Sequence, residues 1–222
     1  MKNYQNLKIL QNLYRLKSLG IDYVNPIKNF PNLQKIATND VDSLFKAITA
    51  CSLCDFSKSK TQAMPGYGNK TADIMIIDYM VSPLEDSSNS YYCGRSGELL
   101  KKMIENVLHV SIEDVFFTHS IKCKPLQKVD DISLNLNKCR SYLISQIDLI
   151  KPKIIVTLGE ESFYNLVGAK ENFENIRGHI IEYKNSKIVP IYHPSFILRN
   201  PNFKKIVFND LKTIYSLLEN KI

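Results

Sequence analysis

Apolar positions along the chain follow two periods that alternate from about residue 72 onward. Short apolar runs of strand length alternate with longer segments in which apolar residues recur at helical spacing. Strands that alternate with helices are typical of a parallel sheet covered on both faces, so we predict an α/β fold. The strands are predicted at 72–78, 115–122, 153–159, 179–184 and 187–192, the helices at 97–108, 134–150, 160–167 and 203–219, and loops at 55–71 and 83–94.

The N-terminal part of the chain has a different organisation. Apolar residues recur at helical spacing over residues 4–19, and this pattern ends at Gly20. An irregular connection follows, and Asn39 or Asp40 is expected to cap a second helix. We therefore predict an N-terminal helical extension over residues 1–46 and one larger domain over residues 47–222. Packing of the extension on the sheet and docking to a partner protein are both left open.

Charge and composition narrow the class of protein. The 222 residues carry a formal net charge of +7 at pH 7, with an isoelectric point near 9.0. This balance favours a polyanionic partner, nucleic acid first. No apolar run reaches the length of a membrane span, and the N-terminus lacks the apolar core of a secretory signal. We therefore expect a cytoplasmic monomer without membrane contact.

Five cysteines in a chain expected to be cytoplasmic argue against a disulfide framework. Cys51 and Cys54 form a C-x2-C pair at the end of a predicted helix, whereas Cys123 and Cys139 stand singly in the middle of the chain. Four thiolates suit zinc or an iron–sulfur cluster. One pair with two single cysteines favours the cluster, because zinc sites more often use two close pairs. Buried cysteines without a metal are the alternative.

The stretch IVPIYHPSFILRNP, residues 188–201, concentrates candidate chemistry. A short apolar strand ends abruptly at His193-Pro194, which places a histidine where α/β sheets bind their ligands. Arg199 follows about one helical turn later and suits a phosphate. A surface turn that happens to contain a histidine is the alternative.

Other polar side chains also lie near the ends of predicted strands. Asp78 and Tyr79 come at the end of the first strand, and His119 lies on the second. The carboxyl ends of parallel strands meet at one edge of a sheet, so these residues are expected to share a cleft with His193. The loop at 83–94 adds two adjacent tyrosines, and aromatic rings beside a basic cleft suit a stacked nucleobase. Core packing is the alternative for either tyrosine.

These segments together resemble the family 4, iron–sulfur uracil-DNA glycosylases of the uracil-DNA glycosylase superfamily. The resemblance covers about residues 47–212 and is carried, in order, by CSLC with MPGYGN and ADIMII, ED…YYCGRSGELLKKMI, FFTHSIKCKP, NKCRSYLISQIDLIKPKIIVTLG, IRG and VPIYHPSFILRNP. It implies a three-layer α/β/α sandwich with a central, mostly parallel sheet. It also implies that Cys51, Cys54, Cys123 and Cys139 hold a structural [4Fe–4S] cluster, with Cys93 outside this quartet.

The activity that the resemblance implies is DNA repair by hydrolysis of the N-glycosidic bond of uracil, or of a related deaminated base, after the base is flipped from the stack. His193 would donate to the uracil oxygen and stabilise the negative charge on the departing base. Tyr92 matches the stacking phenylalanine of the family. Ser195 and Arg199 would contact backbone phosphates. The DNA is expected to be single-stranded or a uracil-containing duplex.

Two departures from the family pattern bear on activity. The first-strand loop of the family reads Gly-Glu-Ala-Pro-Gly, whereas this chain reads DYMVS over residues 78–82. Tyr79 therefore stands at the position of the carboxylate that would orient or activate water. Asp78 comes one residue earlier, and strand alternation is expected to turn its side chain to the opposite side. His119 replaces an asparagine that recognises the uracil edge, and its donor and acceptor lie on opposite sides of a ring.

Two hypotheses about function follow. A DNA glycosylase with altered base preference or reduced rate is favoured by the retention of His193 and Tyr92. A cluster-stabilised DNA-binding module of the same fold is favoured by the loss of the glycine-rich acidic loop. Glu85 and Asp86 match an acidic pair of the family and are expected to replace the missing carboxylate in part.

Overall fold

A computed structural model describes residues 38–58, 60–125, 132–168 and 172–219. The helix predicted over residues 4–19 and most of the connection after it lie outside the described residues. The elements are α1 (Val41–Thr49), β1 (Tyr67–Gly68), β2 (Ile74–Met80), α2 (Pro83–Ser88), α3 (Gly94–Val107), β3 (Val115–Ile121), α4 (Ile132–Ile150), β4 (Ile154–Leu158), α5 (Glu160–Val167), α6 (Phe173–Ile176), β5 (Ile181–Tyr183), β6 (Ser186–Ile191), α7 (Pro194–Arg199) and α8 (Lys204–Glu219). None of the helices in these ranges is long and apolar enough to cross a membrane.

Six strands form one sheet in the order β1-β3-β2-β4-β6-β5. The neighbours β3, β2, β4 and β6 run parallel to one another, and β1 and β5 are antiparallel at the two edges. Every residue of β3 and of β4 is buried. Continuous burial of this kind requires cover on both faces of the sheet, as parallel strands usually have. The predicted mostly parallel α/β sheet is confirmed.

Helices cover the two faces of this sheet. Thr118 of β3 donates its hydroxyl to Gln146 of α4, at 3.1 Å between Oγ1 and Oε1, whereas the neighbouring Phe117 packs on Tyr92, just before α3. Successive strand residues point to opposite faces, so α4 and α3 lie on opposite sides. Helices α1 and α5 pack with α4, and α7 and α8 pack with α3. The three-layer α/β/α sandwich is therefore confirmed.

Two element boundaries differ from the predicted ones close to the sheet edge. Strand β2 continues to Met80, past the predicted end at residue 78. The stretch 83–94, predicted as a loop, contains α2. Its N-terminus is a capping box, in which Ser82 Oγ accepts the Glu85 N–H at 3.2 Å and the Glu85 carboxylate accepts the Ser82 N–H at 3.0 Å. Pro83 takes the first helical position, where its missing N–H costs nothing.

Helix α1 spans the division predicted at residue 46. Asp40 caps it, as one of the two predicted alternatives, by accepting the Ser43 N–H at 2.8 Å. Leu44 and Ile48 are fully buried on one face of the helix. They belong to a small hydrophobic cluster, separate from the main core, that also contains cysteines. The division into extension and domain stays a prediction.

Candidate active site

A cavity of about 1370 Å³ opens at the carboxyl ends of β2, β4 and β6. Open α/β sheets bind their ligands at this edge. Pockets for small molecules typically measure about 300–1,000 Å³, so this cavity has room for more than one base ring. The predicted site residues that line it are Asp78, Tyr79, Tyr92, His193, Ser195 and Arg199.

His193 is held by the turn between β6 and α7. It is the N-cap of α7, and its Nδ1 accepts the Ser195 N–H at 3.0 Å. The Ser195 hydroxyl lies 2.6 Å from the same ring nitrogen. Because Nδ1 accepts a backbone N–H, the proton of the neutral ring resides on Nε2. The turn therefore presents an N–H donor to the cavity.

The carboxylate of Asp78 accepts a hydrogen bond from the His193 N–H. Oδ2 of Asp78 lies 3.2 Å from His193 Nε2, and Oδ1 accepts the N–H of Tyr79 at 2.6 Å. Strand alternation turns Asp78 to the side opposite to Tyr79, as expected, and both side chains nevertheless line the cavity. Strand β2 continues through residue 78 in register with β3, which pairs Asp78 with His119 and directs both to one face.

The contact between Asp78 and His193 shifts both pKa values. Burial alone would raise the pKa of Asp78 and lower that of His193. The hydrogen bond and the attraction between the two groups outweigh burial, so the pKa of Asp78 lies below its ordinary 3.8 and that of His193 above its ordinary 6.5. The charge of Glu85 also raises the pKa of His193. Asp78 is therefore ionised at neutral pH.

Replacing Asp78 with asparagine is expected to change how stability depends on pH. The raised pKa of His193 makes a stabilising contribution to folding that is present below about pH 6.5 and is lost as pH rises through the folded-state pKa. The lowered pKa of Asp78 gives a contribution that is present above about pH 3.8 and lost as pH falls. The free energy of unfolding of the wild type should therefore exceed that of Asp78→Asn most between these two pH values, by on the order of 1 kcal/mol. Urea unfolding followed from pH 3 to 9 measures this difference.

Asp86→Asn is the matched control for this measurement. The pKa of Asp86 is also lowered; burial raises it, but hydrogen bonds from Thr61 and the charge of Lys124 outweigh that effect. The difference in the free energy of unfolding between Asp86→Asn and the wild type should disappear only at acidic pH. A difference for Asp78→Asn that stays constant up to pH 9 would show that His193 does not share an ion pair with Asp78.

His119 lies behind this pair and does not line the cavity. Its side chain is completely buried, with ring centroids 5.9 Å from Tyr91 and 5.0 Å from Phe117. Its Nε2 lies 3.3 Å from Oε2 of Glu85, but neither ring nitrogen makes a directed hydrogen bond within the described part of the chain. The residue predicted to recognise the base is therefore screened from a ligand in this conformation.

The acidic pair at 85–86 is divided between two environments. Glu85 lines the cavity, and its contacts with His119 and Ser82 keep its pKa below the ordinary value although burial raises it. Asp86 accepts the Thr61 N–H at 2.9 Å and lies 3.5 Å from Lys124 Nζ. Asp86 is therefore engaged outside the cavity wall, and only Glu85 is placed to assist there.

Tyr92 supplies an aromatic wall of the cavity. Its ring packs on Phe117, with centroids 4.6 Å apart, and the Lys101 ammonium lies 5.8 Å from the ring centroid. The backbone φ of Tyr92 is +57°, in the left-handed region that side chains rarely adopt. Gly97 lies directly against this turn, since a Cβ there would come within 2.0 Å of the Tyr92 carbonyl. Close packing of α3 therefore positions Tyr92.

Replacing Gly97 with alanine is expected to destabilise the protein by about 1–3 kcal/mol, because the new methyl group overlaps the Tyr92 carbonyl. The usual effect of this substitution inside a helix is the opposite, a gain of roughly 0.5–1 kcal/mol. Thermal or urea unfolding measures the sign. Lys102→Ala, exposed on the same helix, should stay within about 0.5 kcal/mol of the wild type. A stabilised Gly97→Ala variant would contradict the close contact.

The four cysteines predicted as ligands of the iron–sulfur cluster lie in or against the small hydrophobic cluster. Cys54, Cys123 and Cys139 are buried members of it, and Cys51 packs against them. The Cys139 thiol donates to the sulfur of Cys54, which lowers the pKa of Cys54 and raises that of Cys139. Cys93 lies apart, at the N-terminus of α3. Cys51, Cys54, Cys123 and Cys139 therefore lie in one region and Cys93 lies outside it, and their role as metal ligands stays a prediction.

Comparison with known proteins identifies the family. The family model of the Uracil DNA glycosylase superfamily matches residues 65–212. The chain belongs to this superfamily. The Type-4 uracil-DNA glycosylase of Sulfurisphaera tokodaii is 34% identical over 187 residues, which cover 81% of this chain and 85% of the relative. The proteins of the same name from Saccharolobus solfataricus and Archaeoglobus fulgidus are 32% and 30% identical, over 82% of this chain and 88% and 94% of the relatives. These names are those of hydrolases, and the predicted family is confirmed.

The four cysteines suit an iron–sulfur cluster in the type of their ligand atoms. Among the described residues, no group of three or more His, Cys, Asp or Glu side chains converges closely enough to hold one metal ion. A [4Fe–4S] cluster takes one cysteine at each iron, so its four sulfurs surround the cluster and need not meet at one point. Three buried thiols with the part-buried thiol of Cys51 packed against them agree with that requirement in type and number.

Tyr79 stands where the superfamily resemblance places a carboxylate. Its side chain lines the cavity and packs against the small hydrophobic cluster, on the side opposite to Asp78. Burial and the negative charge of Glu161 raise the pKa of its phenol. Tyr79 is therefore protonated at neutral pH and offers a hydrogen-bond donor where a base was expected.

Sequence reasoning missed two basic residues of the cavity. Arg95 and Lys124 line it together with Arg199. Basic side chains around a cavity suit a ligand that carries phosphates. Both residues lie inside segments that carry the family resemblance, GRSGELL and KCKP, so the signal was available. Acidic residues line the cavity as well, namely Asp78, Glu85, Glu160, Glu161 and Glu174.

Proposed function

We propose that the protein is a DNA-repair glycosylase that hydrolyses the N-glycosidic bond of uracil, or of a related deaminated base, in DNA. The observation that carries this proposal is the placement of His193, whose Nε2–H is directed into the cavity by the Ser195 N–H on Nδ1. Relatives that are at least 30% identical and named Type-4 uracil-DNA glycosylases support the substrate.

Cleavage of the bond would separate charge, with positive charge on the sugar and negative charge on the departing base. His193 would donate its Nε2 proton in a hydrogen bond to the base carbonyl and so stabilise the developing anion. Glu85 is an ionised carboxylate at the cavity wall and would stabilise the positively charged sugar, whereas the ionised Asp78 lies beside His193, where the base would bind. Tyr79 would contribute a donor, not a base.

Binding of the DNA would use the remaining cavity residues. The Tyr92 ring would stack on the flipped base, since base–aromatic stacking tolerates any base. Arg199 and the part-exposed Ser195 would contact backbone phosphates, and Arg95 would extend the basic wall. His119 would recognise the base edge only after a rearrangement of its buried contacts, so we assign it to the support of Glu85. Single-stranded DNA and a uracil-containing duplex are both possible substrates for this arrangement.

We propose that Cys51, Cys54, Cys123 and Cys139 hold a structural [4Fe–4S] cluster. When bound, it would supply covalent links between the end of α1, the end of β3 and α4, which the small hydrophobic cluster already brings together. It would take no part in bond cleavage. A cytoplasmic location and a monomeric state belong to the same proposal.

A DNA-binding module without activity is the second candidate, and one observation favours it. The donor of His193 is already occupied by Asp78, which a base would have to displace. The loss of the Gly-Glu-Ala-Pro-Gly loop points in the same direction. Both features would reduce the rate of excision without removing the surface that binds DNA.

An excision assay tests the two candidates. Anaerobically purified protein is incubated with single-stranded oligonucleotides that carry one uracil, hypoxanthine or xanthine, and abasic sites are revealed by alkaline cleavage. Release of uracil would support the glycosylase. Retained binding of the oligonucleotides without release of any base, by protein with its iron intact, would support the binding module.

A further inference from the structure

Asp78 and His193 present an acceptor and a donor side by side at the cavity wall. The two atoms are Oδ2 of Asp78 and Nε2 of His193, 3.2 Å apart. Both side chains are held by backbone N–H groups of nearby residues. Asp78 Oδ1 accepts the Tyr79 N–H, and His193 Nδ1 accepts the Ser195 N–H. The pair is therefore oriented before any ligand arrives.

The chemistry of a pyrimidine determines what such a pair recognises. In the proposed glycosylase, His193 donates to O2, the carbonyl oxygen beside the glycosidic nitrogen. The next atom along the edge is N3, which carries a hydrogen in uracil and a lone pair in cytosine. A carboxylate accepts hydrogen bonds and offers none, so it binds the N3–H of uracil and repels the N3 lone pair of cytosine.

No other predicted residue is better placed for this contact. His119 is completely buried and screened by Tyr91 and Phe117. The carboxylate of Glu85 already accepts the Ser82 N–H and lies 3.3 Å from His119. Oδ2 of Asp78 lines the cavity with His193 as its hydrogen-bond partner, and a bound base would take that place.

We infer that Asp78 is a specificity-determining residue that accepts the N3–H of a flipped pyrimidine while His193 donates to O2. This inference rests on the proposed function and narrows its substrate to pyrimidines with an N3–H, uracil first. Cytosine is excluded by its N3 lone pair. Hypoxanthine is disfavoured as well, because the atom next to its N3 is a C–H and gives the carboxylate no donor.

The test compares uracil with N3-methyluracil, which keeps O2 and the glycosidic bond but lacks the N3–H. Sites built to bind a donor reject analogues without it by large factors, so the wild type should excise uracil at least about 10²-fold faster. Asp78→Ala should reduce this ratio to within about tenfold, and Asp78→Asn, which keeps an acceptor oxygen, should retain much of it. Glu182→Ala, an exposed carboxylate of β5, should leave the ratio unchanged.

A second readout separates this inference from the proposed function. Fluorescence anisotropy measures the affinity of the same proteins for oligonucleotides that carry uracil, N3-methyluracil or cytosine. If the wild type excises nothing but still prefers uracil, and Asp78→Ala loses the preference, the glycosylase fails and the inference stands. An equal ratio in the wild type and Asp78→Ala overturns it. Equal acceleration of both substrates in Asp78→Ala also overturns it, because Asp78 would then only obstruct His193.

Discussion

Replacing His193 with alanine is expected to lower the single-turnover rate of uracil excision by about 10²–10³-fold, the usual cost of removing one donor that stabilises a developing anion. The Nε2–H of His193 is the donor that the turn after β6 directs into the cavity. Without it, the negative charge on the departing base would have no imidazole partner. Binding of the oligonucleotide should change much less, because Tyr92 and the basic residues of the wall are untouched.

Two further variants make this expectation specific. His179→Ala removes another histidine, whose Nδ1 contacts the Arg177 carbonyl at 3.1 Å and which does not line the cavity, and it should leave the rate unchanged. Ser195→Ala should lower the excision rate by about tenfold or less, because the backbone N–H of residue 195 still binds Nδ1 of His193 and so keeps the proton on Nε2. A His193→Ala variant that excises uracil within fivefold of the wild-type rate would remove His193 from the mechanism.

Replacing Cys139 with serine is expected to cause the largest loss of stability, on the order of 4 kcal/mol, because it would remove a ligand of the proposed [4Fe–4S] cluster and losing a metal centre is among the most damaging single changes. Cys139 is a buried member of the small hydrophobic cluster and contributes from α4, whereas its partners contribute from the end of α1 and of β3. Loss of the proposed [4Fe–4S] cluster would therefore unlink two helices of one outer layer from a strand of the central sheet. Iron and sulfide analysis, visible absorption and urea unfolding measure the effect.

Cys93→Ser is the matched control for the cluster. Cys93 lies at the N-terminus of α3, where its thiol contacts the Ser90 carbonyl at 3.2 Å. Its replacement should leave iron content and stability close to the wild type. A colourless wild-type protein that contains zinc would contradict the iron–sulfur assignment, and a metal-free protein of full stability would show that the cysteines are only buried hydrophobic residues.

The periodicity of the sequence predicted the central sheet because the parallel strands are buried on both faces and their apolar runs are continuous. Helix α2 escaped prediction because six residues are too few to show a helical period. Its capping box, Ser82 with Glu85, was nevertheless visible in the sequence. Short elements are therefore better predicted from their caps than from their period.

The candidate site was predicted in part. His193 was found because a strand end followed by His-Pro is a local signal, and the turn that orients the ring lies within three residues. The contact between Asp78 and His193 was not predicted, since it depends on how far β2 continues and on its register with β3. The burial of His119 behind the cavity likewise depends on tertiary contacts. Tyr91 packs against it from a loop and Phe117 from the same strand.

The sequence by itself determined the α/β class and the family, and it singled out the cysteines and His193 as candidate site residues, because these depend on local periods and on ordered motifs. Only the tertiary structure decided that Asp78 contacts His193 and that His119 lies behind the cavity. Side-chain direction at the end of a strand depends on register, and register is set by pairing between segments distant in the chain. The sequence therefore shows which residue types are present, but the contacts at the cavity edge of the sheet arise only when β2, β3 and β6 assemble.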